Sequence, residues 1–308
     1  MPGRRKSFRK ICDIIQVSLM NTKTLVVLAA GLGSRYGGNK QLETVTEEGE
    51  TIIDFSLYDA LASGIERIVF VVRRSIAENV RSEFGPKLKG RAEVAYVHQD
   101  EFTVPSPDIN RRKPWGTGHA VLAASVAVRE NFWVINADDF YGRASFLALA
   151  SAPTDGFSLV SFHLGQTLSP NGPVSRGECM VDDKGFLLGV VERKGIVSEN
   201  GIVTCDDPSA LLTLETPVSM NLWGFTPAIF GILKDGFDRF LGSAETDPLA
   251  EFGIPQAVNR AVSSGSASVK VLNSEERWSG ITFKEDKELV ARHIVELRER
   301  GLYPSRLF

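Results

Sequence analysis

The sequence predicts an α/β fold: a Rossmann-like, mixed and mostly parallel central sheet flanked by helices. Three observations predict it. Short continuous apolar runs recur along the first half, stretches with helical apolar spacing separate them, and glycine or paired polar residues close each run. Uninterrupted apolar runs mark parallel strands because helices cover both faces of such a sheet.

Residues 24–30 (TLVVLAA) form the first run, ending in a glycine-rich loop. Residues 52–63 carry apolar side chains at helical spacing and stop at Gly64, a residue suited to the left-handed turn after a helix. Residues 67–72 read as a second buried strand, and 75–84 as a helix closed by Gly85-Pro86. Residues 94–98 make a third strand. Beyond a polar, proline-containing loop (100–114) come a helix over 119–128 and a fourth strand over 132–137, which ends at Asp138-Asp139. A helix over 143–150 follows. This alternation implies βαβ units with right-handed crossovers, and ligands of such sheets sit beyond the carboxyl ends of the strands. The glycine loop, Gln99 and the aspartate pair all fall there and are expected to line one cleft.

From residue 157 the pattern changes. Residues 157–164, 178–181, 187–192 and 218–225 read as strands separated by turns such as Asp183-Lys184-Gly185, which predicts a mixed sheet in the second half. Thr282-x-x-Glu285 is a capping-box pattern opening a last helix, whose stripe (Leu289, Val290, Ile294, Leu297) ends at Gly301. The organisation expected is an extension over residues 1–22, basic and then weakly apolar, disordered or loosely docked, and one domain over 23–308 with halves 23–150 and 151–308.

Composition narrows the partners. A formal net charge of -3 provides no general basic field for nucleic acid, so phosphorylated ligands must be held by local devices. No apolar run approaches the roughly 20 residues needed to cross a bilayer. Three cysteines without CxxC spacing argue against a disulfide framework or structural zinc and fit a reducing cytoplasm.

The segment AAGLGSRYGGNKQL (29–42) carries the chemistry. Ala30, Gly31, Gly33 and Ser34, with Gly37 and Gly38, let backbone N–H groups approach phosphate oxygens, and Arg35 and Lys40 add two cations. Tyr36 occupies the place where a dinucleotide-binding GxGxxG needs glycine. A Walker A loop is excluded as well, because Asn39 separates Gly38 from Lys40 and Gln41 follows. Adjacent carboxylates after a buried strand, Asp138 and Asp139, suit Mg²⁺, which takes one or two carboxylates plus phosphate oxygens and water.

The loop resembles the signature of nucleotidyltransferases that make nucleotide-sugars. The likeness continues through PWGTGHAV (114–121), NADDFYG (136–142), VVERKG (190–195), VSMNLWGF (218–225) and WSGITFKED (278–286). It points to a bacterial subgroup of sugar-1-phosphate nucleotidyltransferases of this length. The resemblance implies NTP and a sugar-1-phosphate as substrates, Mg²⁺ as cofactor, and Arg35 and Lys40 as catalytic groups. It implies a nucleotide-binding half at 23–150 and a sugar-phosphate-binding half at 151–308, and it is compatible with a homo-oligomer. Gln99 matches a base-reading glutamine, with Gly116 and Thr117 beside the base; Gly177, Glu192, Arg193 and Asn221 match the sugar-phosphate side; Asp138 takes the place of the metal-binding aspartate. The sequence departs from the family at Trp278-Ser279-Gly280, where a second metal carboxylate is usual and none is present. Two alternatives stay open: a cytidylyltransferase acting on a non-sugar phosphate, and a catalytically silent nucleotide-binding regulator. A glycosyltransferase shares the architecture but has no need of the Arg35/Lys40 loop.

Overall fold

The computed structural model describes residues 22–31, 44–102, 113–243, 249–281, 283 and 285–308. In chain order the elements are β1 (Thr24–Leu28), α1 (Ile52–Ala62), β2 (Arg67–Val72), α2 (Arg74–Leu88), β3 (Glu93–His98), α3 (Thr117–Ala123), β4 (Phe132–Asn136), β5 (Asp139–Phe140) and α4 (Arg143–Ala150). Then follow β6 (Phe157–His163), β7 (Val174–Val181), β8 (Leu187–Glu199), β9 (Ile202–Thr204), β10 (Pro217–Phe225), α5 (Ile229–Ser243), α6 (Ile254–Ser263), β11 (Val269–Ser274), β12 (Ser279–Gly280) and α7 (Asp286–Glu299).

The main sheet runs β3-β2-β1-β4-β10-β7-β8-β9, with β6 on the other side of β10 and β11 beside β6. Strands β1 to β4 pair in parallel, as their apolar runs predicted, and β6 pairs in parallel with β11. The pairings of β10 with β4, β6 and β7, and of β8 with β7 and β9, are antiparallel. The sheet is therefore mixed, and it is continuous across residue 150 because β4 pairs with β10.

Strand alternation splits the interior into two cores. Leu25 and Val27 of β1 face one core with Phe70, Trp133 and Tyr141; Val26 and Leu28 face the other with Val134, Trp223 and Phe237. A third, smaller core joins Phe55, Phe140, Ile294 and Tyr303, fixing α7 and the C-terminal tail to α1.

Several boundaries differ from expectation. Helix α2 does not stop at Phe84 but runs through Gly85-Pro86 to Leu88. Val80, Phe84 and Leu88 form one buried stripe at helical spacing, and Lys87 reaches the buried Asp54 at 2.8 Å, so tertiary contacts hold the last turn. Strand β8 extends seven residues beyond the expected Glu192, because its far end folds back on β9 as a hairpin. Helices α5 and α6 and strand β11 were not expected. Thr282, the first residue of the capping-box pattern, lies outside the described residues; at this helix start Asp286 instead accepts the Phe283 N–H at 2.7 Å. Residues 1–21 likewise lie outside the described residues. Among the described residues no helix is long and apolar enough to cross a membrane.

Candidate functional site

Strand β10 explains where the sheet opens. One of its edges pairs with β6 over nearly its whole length. The other edge is shared: Trp223 to Phe225 pair with β4, whereas Val218 and Ser219 pair with β7. Between these partners the register with β6 shifts, Ser219 lying opposite Ser161 and Leu222 opposite Val160. The bulge thus holds Met220 and Asn221, and Asn221 takes a left-handed conformation at φ 63°. Asparagine tolerates this region better than most residues, and bulges of this kind re-aim side chains beside functional sites.

A cavity of about 440 Å³ lies at this opening. Its walls include Asn136 at the end of β4, Ser175, Arg176 and Gly177 of β7, Val190 and Glu192 of β8, and Asn221 of β10. The start of α3 (Gly116, Thr117) and residues Gly253, Gln256 and Asn259 at and along α6 also line it. Five residues expected from sequence, drawn from both halves of the chain, meet here: Gly116, Thr117, Gly177, Glu192 and Asn221.

The indole of Trp223, fully buried, donates from Nε1 to Asn221 Oδ1 at 3.3 Å. An indole N–H can only donate, so this contact assigns the oxygen end of the amide and leaves its NH₂ as the donor for a ligand. Gly177 has a steric reason to be glycine: a Cβ there would lie 2.7 Å from Val190 Cγ1.

Gln99 is buried just beyond β3, with Nε2 donating to the Gly116 carbonyl at 3.2 Å and facing His119 Nδ1 at 3.1 Å. Its donor end therefore ties the α3 start to the sheet. His119 is buried and belongs to this frame, as a structural histidine would. Gly116 has φ 100°, and a Cβ added to it would lie 2.5 Å from the Phe252 carbonyl oxygen. The neighbouring main chain is locked by Phe252 N–H to Trp115 O at 2.7 Å and Gly118 N–H to Phe252 O at 2.9 Å. Gly116→Ala should therefore cost about 2–4 kcal/mol from left-handed strain plus backbone overlap, and lower the melting temperature by about 5–10 °C in a thermal scan. The Thr117 hydroxyl accepts the Ile254 N–H at 3.2 Å, joining the starts of α3 and α6.

The two aspartates part company. Asp138 is half-buried, two residues past the end of β4. Asp139 turns inward: Oδ2 accepts from Asn136 Nδ2 at 2.9 Å and lies 3.1 Å from the Tyr141 hydroxyl. Burial, reinforced by the charge of Asp138, pushes the Asp139 carboxyl well above the usual range. Tyr141 also donates to Met220 O at 3.0 Å, so Asp139 and Tyr141 brace the β4 end against the bulge. Nor does Asp139 cap α4; Glu276 accepts the Ala144 N–H there at 3.0 Å. A metal held by one carboxylate plus phosphate oxygens and water suits Mg²⁺, so Asp138 fits the expected ion without a protein cage. Among the described residues no group of three or more His, Cys, Asp or Glu side chains is arranged to hold a metal.

Gly280, at the position where the sequence resemblance implied a second metal carboxylate, pairs directly with Asp139 across β12 and β5. A Cβ at Gly280 would sit 2.5 Å from the Trp278 ring and 3.1 Å from Asp139 Oδ1. Gly280→Asp should thus displace Trp278 and cost about 1–3 kcal/mol of stability without tightening Mg²⁺ in a calorimetric titration.

Arg193 is not brought to the cavity. Its guanidinium is instead paired with Glu178 at 2.7 Å and with Asp207. The arginine at the cavity is Arg176, which sequence reasoning missed. Its guanidinium stacks 4.8 Å over Trp278 and donates to Thr167 Oγ1 and Ser175 O. Burial lowers its pKa to about 10, against the pull of Asp139 and Asp286. No sequence signal separates it from an ordinary strand arginine. Ala30 is buried and Gly31 exposed at the end of β1. Gly33, Ser34, Arg35 and Lys40 lie outside the described residues.

Residues 25–155 match the family described as the MobA-like NTP transferase domain. UTP–glucose-1-phosphate uridylyltransferase 2 of Streptococcus pyogenes serotype M1 is 31% identical over 132 residues, covering 39% of this chain and 44% of that protein. The uridylyltransferase 1 of serotype M6 matches to the same extent. The chain thus spans less than half the length of these curated relatives. Among solved structures, an inositol-1-phosphate CTP transferase from T. maritima superposes with a TM-score of 0.62 at 14% identity, covering 91% of this chain and 97% of that one. A UDP-glucose pyrophosphorylase complexed with UDP-glucose gives 0.58 at 15% identity, covering 89% and 99%. These likenesses show a nucleotidyltransferase fold.

Proposed function

We propose that the chain transfers a nucleotidyl group from an NTP to a polyol phosphate, a sugar-1-phosphate or an inositol phosphate, releasing pyrophosphate. The observation that carries this reading is the cavity where β10 passes from β4 to β7. Hydroxyl, amide and carboxylate groups line it, the set that hydrogen-bonds a hydroxyl-rich body. Its described walls hold no aromatic ring and so contribute no aromatic cage for a quaternary ammonium group.

A phosphate oxygen of the acceptor attacks the α-phosphorus of the NTP. A P–O bond forms there, the bond to the β-phosphate bridge breaks, and pyrophosphate leaves with the electron pair. The attacking phosphate is already ionised near neutral pH, so positioning and charge neutralisation carry the rate. Arg35 and Lys40 of the glycine loop would hold the triphosphate, Lys40 bridging the α-phosphate and the acceptor. Asp138 would hold Mg²⁺, which would supply charge neutralisation for the pyrophosphate leaving group. Asn221 and Glu192 would bind acceptor hydroxyls, and Gln99 with Gly116 and Thr117 would border the base.

The relatives favour two pairings, UTP with glucose-1-phosphate and CTP with inositol-1-phosphate. A pyrophosphate-release screen of four NTPs against both phosphates, with phosphocholine as the alkylammonium control, separates them. Turnover with a polyol phosphate supports the reading. NTP binding without turnover on any acceptor would favour a silent regulator instead.

A further inference from the structure

Strand β8 has one edge paired with β7, while the other meets β9 only at Val197 to Glu199. Between Leu187 and Glu192 that second edge has no neighbouring strand in the sheet order of the described residues. At Val190 the side chain of Asn259, from α6, takes the place of one. Asn259 Oδ1 accepts the Val190 N–H at 2.8 Å, and Nδ2 donates to the Val190 carbonyl at 2.7 Å. The primary amide reproduces both halves of a peptide rung. Further along the same edge, the Lys194 carbonyl accepts the Asp206 N–H at 2.9 Å.

Rungs on one edge of a strand recur at every second residue. With Val190 and Lys194 bonded outward, the N–H and C=O of Glu192 lie on that same edge, at the cavity that Val190, Glu192 and Asn259 line. We propose that Asn259 is a positioning residue for the acceptor, holding β8 so that the main-chain N–H and C=O of Glu192 receive an acceptor hydroxyl. A hydroxyl both donates and accepts, so it satisfies this pair as an ammonium group does not. The assignment rests on the transferase reading and deepens it to hydroxyl recognition by backbone. Asn259 itself touches no reacting atom.

The test uses the full chain, with glucose 1-phosphate and myo-inositol 1-phosphate as acceptor probes. Asn259→Leu removes both bonds; Asn259→Asp keeps an acceptor for the Val190 N–H but sets a carboxylate against its carbonyl. Both should raise the acceptor KM about tenfold or more, with the NTP KM and kcat within about twofold. An unchanged acceptor KM, or equal rises for both substrates, would overturn the assignment. Hydrogen exchange on the wild-type chain needs no variant: saturating acceptor should slow the Glu192 amide, and an unchanged rate there overturns it too. Should the wild type release no pyrophosphate with any acceptor, the transferase reading fails first, and this assignment with it.

Discussion

Asp138→Asn should lower pyrophosphate release by about two to three orders of magnitude while leaving the melting temperature within a few degrees. The substitution keeps the size and polarity of a half-buried side chain just past β4 but removes its charge. With no second carboxylate at Gly280, little else in this loop can compensate for the loss. Higher Mg²⁺ should recover part of the rate if the residue acts through the ion, so turnover is best followed across a Mg²⁺ titration. Asp139→Asn should behave in the opposite sense. Its carboxyl sits among Asn136, Tyr141 and the Gly280 backbone, where a neutral amide costs stability before it costs chemistry. A catalytic loss at Asp139 as large as that at Asp138, with the fold intact, would contradict this division of roles.

Lys40→Ala should be as damaging, lowering turnover by about two to three orders of magnitude, with Arg35→Ala close behind. The net charge of -3 leaves the chain no diffuse attraction for a triphosphate, and on the proposed reading Arg35 and Lys40 would supply it locally. Lys40 would neutralise charge that builds between the two phosphates as they meet, an interaction stronger in the transition state than before it. Its loss should therefore appear mainly in kcat. Near-normal pyrophosphate release from Lys40→Ala would remove the glycine loop from the chemistry.

The parallel half of the fold was legible because burial on both faces writes itself as unbroken apolar sequence, as in TLVVL of β1 and RIVFVV of β2. Helix α6 was missed although its signal is present: Ile254, Ala257, Val258 and Ala261 stand at i, i+3, i+4 and i+7, the spacing of a buried helical face, with Pro255 in the first turn. The end of α2 misled because Gly85-Pro86 is a local stop signal that Leu88 and the Lys87–Asp54 pair override. At the cavity, Gly116, Thr117, Gly177, Glu192 and Asn221 were named from motifs. Arg193 was named with them and Arg176 was not. The two arginines are direct partners in the β7–β8 register and share a sheet face, so only their contacts distinguish them: Arg176 with Trp278 and Thr167, Arg193 with Glu178 and Asp207. Asn259 is invisible for another reason: its task is defined by a backbone rung on a distant strand, with no spacing rule to announce it.

The central claim is that an acceptor phosphate oxygen attacks the α-phosphorus of an NTP. Its most direct test is the fate of ¹⁸O in the phosphate of the acceptor, followed by ³¹P NMR or mass spectrometry during turnover with UTP or CTP. The label should remain wholly in the nucleotide–polyol product, with unlabelled pyrophosphate formed in equal amount. Label in pyrophosphate or free phosphate, or nucleotide hydrolysis with no coupled product, would contradict the account.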